Sequence, residues 1–66
     1  MRLVVNGETR DVEQVSTVAD MLAAFKLQNK ILVVELNREI IDRSVYDQTR
    51  LSDGDQVEIV HFVGGG

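Results

Sequence analysis

The chain has 66 residues, 44% of them hydrophobic and 27% charged, with a formal net charge of −4. That length allows one small domain burying about 60% of its unfolded surface, with little room for the deep cleft of an enzyme. The acidic balance argues against a nucleic-acid backbone as partner and favours a basic protein surface, while the absence of cysteine removes disulfides and thiolate metal sites and leaves packing alone to hold the core.

From the N-terminus, Leu3-Val4-Val5, Asn6-Gly7 and Glu8 to Val12 predict a β-hairpin, because an Asn-Gly pair adopts positive φ readily and closes two-residue turns. This opening reaches a turn too soon to hold a signal-peptide core, so the cytoplasm is the expected compartment. Ser16 or Thr17 offers a hydroxyl N-cap, with Asp20 placed to complete a capping box. Val18, Met21, Leu22 and Phe25 then recur at helical spacing, which predicts one amphipathic helix ending near Lys26. Ile31 to Leu36 is a β-branched run that predicts a central strand. It is far too short to span a bilayer and is interrupted by Glu35, so no membrane segment is expected. Ile40-Ile41 suggests a short strand, Asp42 to Tyr46 shows no clear periodicity and suits a single helical turn or an irregular crossing loop, and the structure of residues 42–50 is left open. Ser52-Asp53-Gly54-Asp55 is a dense turn signal, and Gln56 to Phe62 is a second strong strand. The order β-β-α-β-(β)-β predicts an α+β domain over residues 1–66, a mixed sheet of four or five strands with the helix on one face. With the first and last strands central, that order resembles the β-grasp fold of ubiquitin.

Strand side chains alternate between faces, so Glu35 and Glu58 mark the exposed parity. Val57, Ile59, Val34 and Leu36 then turn toward the helix, with His61 on the same parity, and Leu3 and Val5 do so from the first strand. Val4, Val33, Val60 and Phe62 point the other way and form a candidate apolar patch for partner binding. A twist or bulge at the strand end would instead tuck Phe62 under the core.

Catalytic templates find little purchase. His61 is the sole histidine, and its ordinary role at a strand end is packing and hydrogen bonding rather than contact with a partner's acidic group. Ser16, Ser44 and Ser52 fall where caps and turns want hydroxyls, with no base nearby in sequence. Asp53-Gly54-Asp55 lacks EF-hand spacing, so no metal site is expected, and Asp20 suits a cap. Glu58, Asp53 and Asp55, expected near the tail, are candidate partner carboxylates on charge alone.

What stands out is Val63-Gly64-Gly65-Gly66, directly after a strand. Glycine has no Cβ, so Gly64 and Gly65 can thread a slot too narrow for side chains and leave the Gly66 carboxylate open to chemistry. The bland alternatives are a frayed terminus or a cloning scar. A carboxylate becomes an electrophile once its oxygen is made a good leaving group, as in an acyl adenylate. The protein would then be a substrate and not an enzyme.

With these residues in place the chain resembles the ThiS family, the ubiquitin-like sulfur carriers of thiamine thiazole biosynthesis, over its whole length. The resemblance rests on the Val-Asn-Gly hairpin, Thr17-Val18-Ala19-Asp20-Met21-Leu22, Val34 to Ile41, Asp53-Gly54-Asp55-Gln56-Val57 and His61-Phe62-Val63-Gly64-Gly65-Gly66. It implies a carrier without a bound cofactor, monomeric when free, whose Gly66 is adenylated with ATP and magnesium by an E1-like adenylyltransferase, ThiF. A persulfide from a cysteine desulfurase then yields a thiocarboxylate, and thiazole synthase, ThiG, takes the sulfur. Two related readings share parts of the pattern. One is the small subunit of molybdopterin synthase, disfavoured by the absence of proline. The other is a non-covalent β-grasp module such as the TGS domain, usually embedded in larger proteins.

Overall fold

The computed structural model describes residues 1–62. Strands β1 (Arg2–Val5) and β2 (Glu8–Asp11) pair antiparallel, with Val5 opposite Glu8. Asn6 and Gly7 close them at φ 51° and 82°, the pair of positive values whose twist matches that of the flanking strands.

Helix α1 (Val18–Ala24) starts as its cap residues dictate. Thr17, not Ser16, is the N-cap. Its Oγ1 accepts from the Asp20 N–H at 3.2 Å, and Asp20 Oδ2 accepts from the Thr17 and Ser16 N–H groups at 3.1 and 3.0 Å. Helical spacing turns Val18, Met21 and Leu22 into the core. The end is fixed by Lys26, whose φ of 61° reverses the chain while its N–H donates to the Ala23 carbonyl and that of Leu27 to the Leu22 carbonyl. This double bond is the Schellman pattern, normally built around glycine.

Strands β3 (Leu32–Leu36) and β4 (Glu39–Ile41) form a second antiparallel hairpin around Asn37 and Arg38. The short strand at Ile40-Ile41 is therefore present, one residue longer on its N-terminal side. Beyond it lies one 3-10 turn at Arg43–Val45, and the chain then passes over the start of α1. There the Tyr46 and Thr49 carbonyls accept from the Ala19 and Val18 N–H groups at 3.0 and 2.9 Å. These are donors that a helix start leaves without intrahelical partners.

Strand β5 (Gln56–His61) completes a five-stranded sheet of order β2-β1-β5-β3-β4, in which β1 and β5 run parallel and every other neighbouring pair is antiparallel. This is the β-grasp architecture, a mixed sheet with one helix against it. The core gathers Leu3, Val5, Val34 and Val57 from the sheet and Val18, Met21 and Leu22 from α1. Val12, Val15 and Leu51 close it from the connections.

Candidate functional site

With Leu3, Val5, Val34 and Val57 buried beneath the helix, alternation sends Val4, Val33, Glu35, Glu58 and Val60 to the opposite face. Antiparallel register then decides which of them meet. Val33 lies opposite Val60, and Glu35 opposite Glu58. One step further the Phe62 N–H donates to the Ile31 carbonyl at 3.0 Å, which sets Phe62 opposite Ile31. Phe62 and Val60 are each 53% exposed and Ile31 is 69% exposed, while Val33, opposite Val60 on β5, is partly buried. The end of β5 that leads into the glycines thus carries an apolar cluster of Ile31, Val33, Val60 and Phe62, with the Glu35 and Glu58 carboxylates on its inner margin. Ile40, opposite Glu35 on β4, extends the apolar surface sideways.

Two expectations need correction. Val4 faces the same side, but it is partly buried and paired with Gln56, four positions before Val60. At about 3.3 Å per residue that is roughly 13 Å along the strand, with Gln56 and Glu58 between, so Val4 stands apart from Val33, Val60 and Phe62. Parity assigns a face, but only register says which residues on it are neighbours. Ile31 and Ile40 were missed; extending the alternation of Val33 back by two would have found Ile31. Asp53 and Asp55 lie at the start of β5, the end away from the glycines, where they build the turn. Asp53 Oδ1 accepts from the Arg2 N–H at 2.6 Å, and the Asp55 carboxylate accepts from the Ser52 N–H at 2.8 Å and Asn37 Nδ2 at 3.2 Å.

The approach to the glycines is held by a side chain standing in for backbone. β1 pairs with β5 as far as Val57, after which the Asn6 amide takes over. Its Oδ1 accepts from the Ile59 N–H at 2.7 Å and its Nδ2 donates to the Ile59 carbonyl at 3.2 Å. The Asn-Gly turn therefore closes a hairpin and also anchors β5. His61, one step beyond, is exposed on the helix side. Gly64, Gly65 and Gly66 lie outside the described residues.

The serines take local roles. The Ser16 N–H joins the helix cap, the Ser44 hydroxyl and N–H both donate to Asp42, and Ser52 closes the turn before β5. The Asp20 carboxyl is held below the usual carboxylate range, first by the Ser16 N–H and then by that of Thr17. Asp42 is lowered likewise by Ser44. Among the described residues no group of three or more His, Cys, Asp and Glu side chains is placed to hold a metal ion, and no helix is long and apolar enough to cross a membrane.

Comparison with known proteins gives the site its context. Residues 3–66 match the model of the ThiS family. The chain is 46% identical over 65 residues to the sulfur carrier protein ThiS of Bacillus subtilis, covering 97% of this chain and 98% of that protein. It is 42% identical over 66 residues to part of a thiazole synthase of Paramagnetospirillum magneticum, of which it spans 20%. The crystal structure of a thiamine biosynthesis protein (ThiS) from Geobacter metallireducens superposes with a TM-score of 0.82 at 40% identity, covering both chains completely. On its sequence across nearly the whole length, and on its fold, the chain belongs to the ThiS family.

Proposed function

We propose that this protein is the sulfur carrier of thiamine thiazole biosynthesis, with the Gly66 carboxylate as the group that carries the sulfur. The observation that supports this most directly is the family match, which runs through residue 66 and so includes the glycines. The chemistry follows from what a carboxylate needs. An E1-like adenylyltransferase, ThiF, transfers AMP from magnesium-bound ATP to the Gly66 carboxylate, releasing pyrophosphate and leaving an acyl adenylate. The terminal sulfur of a persulfide, supplied by a cysteine desulfurase, attacks the acyl carbon and AMP departs. A thiol then cleaves the sulfur–sulfur bond and leaves the thiocarboxylate. In the first step the Gly66 carboxylate oxygen attacks the α-phosphorus of ATP, and in the second its acyl carbon is attacked, so the chain's part is to present the reacting group.

The sulfur acceptor in this reading is thiazole synthase, ThiG. A ThiS-like stretch occupying a fifth of a thiazole synthase chain supports that pairing. The outer face at Ile31, Val33, Val60 and Phe62 is the proposed docking surface, beside the residues that enter the partner's active site, and Gly64 and Gly65 are the part that threads it. Intact-protein mass spectrometry after incubation with ATP, magnesium, the adenylyltransferase, a cysteine desulfurase and cysteine tests the carrier chemistry. The expected result is a mass gain equal to the replacement of one oxygen by sulfur, localised to Gly66 and absent when Gly66 is deleted. No gain with demonstrably active enzymes would overturn the reading.

A further inference from the structure

On the helix side of the sheet, opposite the apolar face, a groove of about 390 Å³ opens between the end of α1 and the ends of β1 and β5. Its floor is apolar, with Val5 and Ile59 from the sheet and Leu27 from the turn after α1. Its rim carries Arg10, Lys26 and His61, and no carboxylate lines it among the described residues. That concentration runs against the net charge of −4 for the whole chain. Arg10 is held in place by stacking, with its guanidinium carbon 5.1 Å from the centroid of the Phe25 ring.

Among the described residues the groove also runs beside a stretch of β5 backbone that no strand pairs with on its β1 side. Asp55 and Val57 turn their carbonyls to β1, accepting from the Val4 and Asn6 N–H groups at 2.9 Å each, whereas Gln56 and Phe62 bond toward β3. The Asn6 side chain fills the next β1-side slot, at Ile59. By the same alternation the N–H and C=O of His61 point to the β1 side, past the point where the described ladder ends. An open strand edge binds an extended peptide, and side-chain pockets beside it select what that peptide carries.

We propose that this groove receives an extended, acidic segment of the sulfur-accepting synthase, which adds to β5 at His61, lays an apolar side chain over Val5 and Ile59, and presents a carboxylate to Arg10 and Lys26. A free phosphate would satisfy the cations but leave the backbone slot and the apolar floor unused, which is why a peptide segment fits better. The inference rests on the carrier function proposed above and adds a second contact on the opposite face of the sheet. The test uses the full chain, binding to thiazole synthase by isothermal titration, and amide hydrogen exchange at His61. The double variant Arg10→Glu with Lys26→Glu is expected to weaken binding by about tenfold or more and to flatten its salt dependence. Lys26→Glu alone, which leaves the Arg10 stacking intact, is expected to give part of that loss. In the parent complex the His61 amide is expected to gain protection. Parent-like affinity in a folded double variant, or an unprotected His61 amide in the complex, would overturn the inference. If the parent also shows sulfur loading at Gly66 and binds the synthase, that failure is confined to the groove; absence of loading in the parent would bring down the carrier reading itself.

Discussion

Two hairpin turns in this molecule adopt nearly the same backbone with different second residues, and the difference sets a local stability. Asn6 and Gly7 sit at φ 51° and 82°, Asn37 and Arg38 at 50° and 71°. A side chain in the left-handed region meets the following carbonyl, a cost of about 1–2 kcal/mol that glycine avoids, partly offset by glycine's freedom in the unfolded chain. Arg38→Gly is therefore expected to stabilise the fold by about 0.5–1 kcal/mol, read as a higher urea midpoint; no rise would show that the Arg38 side chain contributes enough elsewhere to compensate. Gly7→Ala is expected to destabilise by a similar amount, and a Cβ there meets nothing within 4 Å, so conformation alone carries the cost. Asp20 supplies the pH dependence at this scale. Its carboxyl binds a proton less readily when folded than at its ordinary 3.8, so its contribution is whole above that value and is lost as pH falls through the lowered folded-state value. Asp20→Asn removes the charge that the Ser16 and Thr17 N–H groups favour. The parent should have the higher urea midpoint near neutral pH, with the gap closing as pH falls past the ordinary 3.8 and through the lowered folded-state value. A gap that persists there would assign the Asp20 effect to something other than its ionisation.

Among the elements, the β3 and β5 pair holds an electrostatic conflict. Glu35 and Glu58 are directly opposite on the outer face, and like charges at opposed positions cost about 0.2–1 kcal/mol. Changing either to lysine should raise stability by that order, and changing both should cancel the gain by restoring like charges; denaturation of all four combinations reads the cycle. If the double variant keeps the sum of the single gains, the two side chains do not interact. The same pair marks what was legible in the sequence. Glu35 and Glu58 interrupt apolar runs and so betray strand parity, just as the spacing of Val18, Met21 and Leu22 betrays the helix face and Asn6-Gly7 the first hairpin. Those signals lie within one element. The course of residues 42–50 was not legible, because it follows from pairings made across the chain. The Tyr46 and Thr49 carbonyls meet the first N–H groups of α1, and the Leu51 N–H donates to the Ser16 carbonyl at 2.8 Å. The second role of Asn6, as a surrogate peptide group for β5, was hidden for the same reason. The misplacement of Val4 belongs with them, since register between distant strands is not written in either strand alone.

At the scale of the whole molecule, one helix on a five-stranded sheet leaves the second face uncovered among the described residues, so the core and the proposed apolar docking surface lie on opposite faces. Stability of about 0.05–0.15 kcal/mol per residue gives a chain of this size about 3–10 kcal/mol in total. Leu3 is fully buried on the helix side, and Leu3→Ala, at about 2–5 kcal/mol, removes much of that total. Phe62 touches the other face at the end of the sheet and is half exposed, so Phe62→Ala should shift stability by only about 0.5 kcal/mol. If the outer face docks the synthase or the adenylyltransferase, the same change should weaken binding by about tenfold or more, since an aromatic anchor at a contact centre carries a disproportionate share of affinity. Val4→Ala is the matched control, because Val4 shares the face but is separated from the cluster by Gln56 and Glu58. Its affinity is expected to stay within about twofold of the parent. Titration of both variants against each enzyme, with urea denaturation alongside, separates the possibilities. A loss for Phe62→Ala alone ties docking to the end of β5 next to the glycines, where a body held still best delivers a reacting group. Equal losses for both would spread the interface over the whole face, and parent-like binding by Phe62→Ala would remove the outer face from docking and leave the groove beside His61 as the surface that orients the carrier.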